Sequence, residues 1–124
     1  MKIWLLENKI SGNLLLIAAL FLVALSFRLW DINATGRTWD ENAYFNAGKI
    51  YINNILTHNF NPDAWRYNRA HPPIAKYIYG IVNYFAKAEA HDYTASRVLS
   101  AVMGALICLI VYFAGREFFE RRVG

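Results

Sequence analysis

Two uncharged runs, Ile10 to Phe27 and Val98 to Gly115, each 18 residues long, set the solvent in which this chain has to fold. A helix crossing the hydrocarbon layer needs roughly 17 to 25 mainly apolar residues, so both runs qualify as spans once their ends are trimmed or extended slightly. Ionisable side chains bound them, Lys9 and Arg28 around the first, Arg97 and Arg116 around the second. Burying both as core helices of a soluble protein would require apolar surface on every side of each, and 124 residues hold too little of it. Met1-Lys2 with an apolar run ending at Ala24-Leu25-Ser26 imitates a cleavable secretory signal. Hydrophobic character continues through Phe27, Leu29 and Trp30, however, as in a retained anchor whose last residues straddle the interface. The expected fold class is all-α and integral to the membrane. Two transmembrane helices, residues 10–29 and 96–115, are joined by an external loop, residues 30–95, that carries two amphipathic juxtamembrane helices.

Basic residues orient this hairpin. Residues 1–9 and 116–124 carry Lys2, Lys9, Arg116, Arg121 and Arg122, a higher density than the eight cations of residues 28–97. By the positive-inside rule both ends, including residues 116–124, are cytoplasmic and the loop lies outside a cell membrane crossed more than once. Counting only residues near the helix ends narrows the margin to five against four. The net charge of +4 divides evenly between termini and loop, leaving no basic stripe of the kind that nucleic acid requires. Cys108 is the single cysteine and lies mid-run, which excludes an internal disulfide and reads as a small packing residue.

The loop is too apolar to be disordered. Ala43, Tyr44, Ala47, Ile50, Tyr51 and Ile55 recur at helical spacing and predict a helix over about 41–57. Ile74, Tyr77, Ile78, Ile81, Val82 and Phe85 predict a second over about 73–87, opened by Pro72-Pro73, whose missing N–H groups are harmless in a first turn. Tyrosines along their flanks suit helices lying in the headgroup plane. His58-Asn59-Phe60-Asn61-Pro62-Asp63 reads as a turn-rich break between them, and Asp92 or Thr94 as the cap of the second span.

Thr38-Trp39-Asp40-Glu41 is the most informative polar run. Thr38 followed three residues later by Glu41 satisfies the capping-box pattern, and acids in a first turn are stabilised by the helix dipole, so both carboxylates have a structural explanation. Capping leaves their position unexplained. They fall about ten residues beyond the membrane exit, where a lipid headgroup presents its reactive end.

Arg28-Leu29, Trp39-Asp40-Glu41 with Tyr44 and Ala47, His71-Pro72-Pro73-Ile74-Ala75-Lys76-Tyr77, and Ser96-Arg97-Val98-Leu99-Ser100-Ala101 leading through Gly104-Ala105-Leu106 to Tyr112 and Gly115-Arg116 form an ordered set. That set resembles the amino-terminal region of the polyprenyl-phosphate-dependent glycosyltransferases of the membrane-embedded GT-C class, which includes the dolichyl-phosphate-mannose protein mannosyltransferases. The similarity covers nearly the whole chain. It implies transfer of a hexose, mannose-like, from a polyprenyl phosphate donor at the outer membrane face to a hydroxyl acceptor on protein, lipid or glycan, usually with inversion. By the same likeness Asp40 maps onto the catalytic base and Glu41 onto a partner that positions acceptor or base. A carboxylate, which ordinarily titrates near pH ~4, is too weak to ionise a hydroxyl beforehand. It must take the proton as the glycosidic bond breaks and an oxocarbenium-like centre develops, which demands placement rather than basicity.

The phosphate leaving group needs cations, and the candidates are Arg37, Arg66, Arg69 and Lys76, with His71 as a further donor or acceptor contact. Snorkelling towards headgroups is the ordinary task of any one of these basic residues, and placing the second surface helix is that of His71. Some members of the class use a divalent metal, for which Asp40, Glu41 and His71 are the conceivable donors, but no metal-ligand spacing joins them. No resident cofactor is predicted. Family members run to several hundred residues with many more spans, so the chain is expected to be the first part of such an enzyme, inactive without the remainder. The alternative is a small two-span structural or assembly subunit of a membrane complex, in which the acids are caps and the surface helices a contact face.

Overall fold

A computed structural model describes residues 2–34 and 36–119, with side chains placed from residue 13 onward. The elements in order are α1 (Lys2–Leu29), α2 (Trp39–Leu56), a short 3-10 turn (Pro62–Trp65), α3 (Pro73–Phe85) and α4 (Thr94–Phe118). The described residues thus form an all-helical protein. They divide into two compact units, residues 1–31 with 100–124 and residues 32–99.

In the first unit α4 is long and apolar enough to cross a membrane. Its large side chains Met103, Ile107, Ile110, Val111 and Phe118 are exposed, while Ala101 and Ala105 are buried. A helix that buries its small residues and presents its large apolar ones outward suits lipid as the surrounding medium. The described apolar part of α1, Asn13–Leu29, is shorter, so among the described residues α4 alone is long and apolar enough to cross a membrane, against the two spans expected. The α1 backbone is helical from Lys2, well before the boundary expected near Ile10. Charges mark where a helix would leave lipid, not where its hydrogen-bond ladder stops, and α4 outruns its expected 96–115 at both ends for the same reason. Arg121 and Arg122 lie outside the described residues, and so do the side chains of Lys2 and Lys9. Arg28 folds back on its own helix, Nη1 donating to the Ala24 carbonyl at 3.0 Å, and its Nη2 lies 3.6 Å from Cys108 Sγ. Gly104 makes room for it, since a Cβ there would sit 2.5 Å from Arg28 Nε.

In the second unit α2 packs on α3 at a backbone-to-backbone contact. A Cβ on Gly80 would lie 2.5 Å from the Gly48 carbonyl oxygen, and one on Gly48 would lie 2.8 Å from both Gly80 N and the Lys76 carbonyl oxygen. Only glycine on both helices permits that approach. It also rotates the buried stripe of α2 away from the expected one. Ala47 and Tyr51 are buried as anticipated, but Ile55 is exposed and Phe45, Gly48, Ile52 and Asn54 take the interior.

The α3 helix is turned further from the soluble pattern. Its buried residues are Lys76, Gly80 and Asn83, whereas Ile74, Ile78, Ile81 and Phe85 face outward.

Both helices end in the same device. After α2, His58 N–H bonds the Ile55 carbonyl and Asn59 N–H that of Asn54, with His58 at φ 53. After α3, Lys87 N–H bonds Tyr84 and Ala88 N–H bonds Asn83, with Lys87 at φ 50. These are Schellman caps built without the usual glycine. Between the two helices, buried polar side chains of α2 hold the loop: Asn54 Nδ2 donates to the Ala64 carbonyl at 2.9 Å, and the Tyr51 hydroxyl is shared between the carbonyls of Trp65 and Tyr67. Asp92 accepts the N–H of Thr94, the first residue of α4, at 3.0 Å.

Candidate functional site at the start of α2

The α2 N-terminus is built as its sequence predicts. Thr38 Oγ1 accepts the Glu41 N–H at 3.3 Å, and Glu41 Oε2 accepts the Thr38 N–H at 3.1 Å, a reciprocal capping box. A second interaction has no local signature. Arg97, 56 residues further on, grips Glu41 with two parallel bonds, Nε to Oε1 at 2.6 Å and Nη2 to Oε2 at 2.9 Å. It also donates from Nη1 to the Ile32 carbonyl at 3.0 Å. The pair is largely enclosed, with side-chain exposures of 13% and 25%. A planar guanidinium matches a carboxylate edge in this way, which fixes orientation as well as adding energy. Arg97 and the Thr38 cap hold the Glu41 carboxyl below its usual range, against the opposing effect of burial.

The adjacent carboxylate has a different environment. Asp40 is exposed and meets no hydrogen-bond or ion-pair partner among the described residues. Beside it the Trp39 indole is 86% exposed. Tyr44, one helical turn along, shares the face of Asp40. The Tyr44 ring meets His71 edge-on at 5.7 Å between centroids and Tyr79 at 6.3 Å. Through Tyr44, His71 is thus brought to the side of α2 that carries Asp40.

The candidate cations separate. Arg69 is exposed and shows no partner among the described residues. Arg66 pairs with Asp63 at 2.9 Å on the surface, a contact worth little in water. Arg37 lies 3.5 Å from His91 Nδ1 and lines an open cleft of about 500 Å³ with Asn33, His91, Tyr93 and Arg97. Lys76 departs most from expectation. It is buried, its Nζ donates to the carbonyls of Asn68 and His71, and burial pushes its pKa down. An ammonium so placed faces the loop interior. Among the described residues no three His, Cys, Asp or Glu side chains gather as a metal site. Glu41, conceived as a donor to a shared ion, has both oxygens committed to Arg97.

Sequence reasoning missed Arg97 as the partner of Glu41, and it missed the hydrogen-bonded series His91, Tyr93, Asn42 and Asn46 beside it. An arginine heading an apolar run reads as a snorkelling residue, and nothing in its neighbours says otherwise.

The chain is similar to dolichyl-phosphate-mannose–protein mannosyltransferase 2 of Candida albicans, with 30% identity over 118 residues. That match takes in 82% of this chain and 14% of the yeast protein. The similarity is broad on this side and narrow on the other. The chain spans about a seventh of the length of this curated relative. No family model matches it, and no solved structure does.

Proposed function

We propose that this chain is part of a membrane glycosyltransferase that moves a hexose, mannose-like, from a polyprenyl phosphate donor to a hydroxyl acceptor on protein or glycan. The observation that carries the reading is the contrast between two neighbouring acids. Glu41 is locked by Arg97, whereas Asp40, one residue before it, projects without a partner among the described residues from a helix start that the lock fixes. General-base chemistry needs such a carboxylate: fixed in place, yet open to a hydroxyl. Similarity to the yeast mannosyltransferase supports the reaction class at a coarse level.

In this reading Asp40 takes the acceptor proton as the sugar-phosphate bond breaks. Glu41 acts through structure, setting the first turn of α2. The departing phosphate is met by His71 and Arg69, with Arg37 and Arg66 as further cations, each of which first has to leave its present partner. Where the reaction also uses a divalent metal, Asp40 and His71 are the donors left available, because the Glu41 oxygens are held by Arg97. The α1 and α4 helices cross the bilayer, both ends are cytoplasmic, and α3 lies with Ile74, Ile78, Ile81 and Phe85 against lipid. The remainder of the enzyme encloses the donor and excludes water.

Replacing Asp40 with Asn in the full-length enzyme, assayed in membranes with a polyprenyl-phosphate-linked sugar, is the test. A variant that transfers sugar at close to the parent rate removes Asp40 from the base role.

A further inference from the structure

Lys76 is the most deeply buried large side chain of the described residues, with 1% of its surface exposed. An isolated ammonium in such a place is costly, so what surrounds it defines its task. Among the described residues no carboxylate pairs with it. Its Nζ donates instead to the Asn68 carbonyl and, at 2.8 Å, to that of His71, while the Tyr51 ring lies beneath it at 5.5 Å. The two carbonyls belong to one tight turn, closed by the His71 N–H on the Asn68 carbonyl at 3.3 Å, with Asn68 in the left-handed region at φ 52. The turn leads directly into Pro72-Pro73, where α3 begins without a side-chain cap. The ring of the last turn residue, His71, then packs edge-on against Tyr44, at the same helical face as Asp40.

We propose that Lys76 is a positioning residue whose buried ammonium clamps the turn 68–71 and so holds the His71 imidazole against Tyr44, on the side of α2 that bears Asp40. His71 is held twice, through its carbonyl by Lys76 and through its ring by Tyr44. Methionine at position 76 would fill the same space, leave the His71 carbonyl without this donor and leave the Asn68 carbonyl with the His71 N–H alone. The importance of the clamp for sugar transfer rests on the proposed function; the clamp itself does not.

Two measurements on the full chain in lipid nanodiscs decide it. Acetylation by an amine-reactive ester, followed by mass spectrometry, should modify Lys76 about tenfold or more slowly than the exposed Lys49 and Lys87, since reaction requires local opening. Equal rates would overturn the clamp, and because this measurement uses the natural sequence it holds even if a variant fails to fold. In Lys76→Met, the nuclear Overhauser contact between the Tyr44 and His71 rings should disappear while helix content persists; a retained contact overturns the proposal. Transfer kinetics add a further readout, with kcat reduced and donor KM within about twofold of the parent value. A large rise in KM with the ring contact intact would mean that Lys76 meets the donor directly, which also overturns it. Absence of transfer by the natural enzyme would count against the site reading alone, leaving labelling and ring contact to judge the clamp.

Discussion

At the scale of single residues, Asp40 and Glu41 show how neighbours of the same chemistry acquire separate tasks from their surroundings. Asp40→Asn should lower transfer by about a hundredfold or more, the range for loss of a general base, with at most a small fall in melting temperature, because its carboxylate supports the fold only through its charge at the helix N-terminus and through no described contact. Glu41→Gln should act on stability, since it weakens the Arg97 fork and half of the capping box. The pH dependence has a definite sign. Arg97 and Thr38 hold the folded-state pKa of Glu41 below its ordinary value of 4.5, so the stability it contributes is complete above that value and is lost as pH falls through the folded one. Acid titration of α2 unfolding by circular dichroism should therefore show a loss below about pH 4.5 that Glu41→Gln flattens.

At the scale of elements, the α2–α3 contact is governed by two hydrogen-sized side chains. Gly48→Ala or Gly80→Ala would place a methyl group at 2.5 to 2.8 Å from backbone atoms of the facing helix, which cannot move aside as a flexible side chain can. Each should destabilise the second unit by about 1 to 3 kcal/mol, read from thermal or denaturant unfolding. The opposite change should help at the end of α3. Lys87 occupies a left-handed position that favours glycine, at φ 50. Lys87→Gly should thus raise stability by up to about 1 kcal/mol, the strain removed being partly offset by a more flexible unfolded chain. The Gly-x-x-x spacing of neither helix announces their meeting. Position 48 and position 80 each read as a weak point in a helix until the partner is seen.

At the scale of the whole molecule, apolar surface faces outward from both units. Ile74, Ile78, Ile81 and Phe85 lie exposed on α3, and Ile107, Ile110 and Val111 on α4. In the reading proposed here lipid covers both surfaces. With Cys108 replaced by Ala, spin labels at Ile78 and Ile110 in nanodiscs should collide more with oxygen than with a water-soluble nickel complex, and a label at Lys49 should show the reverse. Preference for the nickel reagent at Ile78 would mean that α3 is not lipid-facing.

The order of helices, the capping box, the proline-led start of α3 and the turn between α2 and α3 were legible in the sequence, because spacing of apolar residues and the chemistry of caps are local properties. So was the candidacy of Asp40, through the ordered set of short motifs around it. Which side of each loop helix turns inward was decided only in three dimensions, by the close approach of Gly48 and Gly80, an event between segments 32 residues apart. The partnering of Glu41 with Arg97 and the inward turn of Lys76 have the same origin. A charge in a sequence has no direction; it acquires one when distant carbonyls or a carboxylate are folded within hydrogen-bond reach, and burial then makes that direction expensive to change.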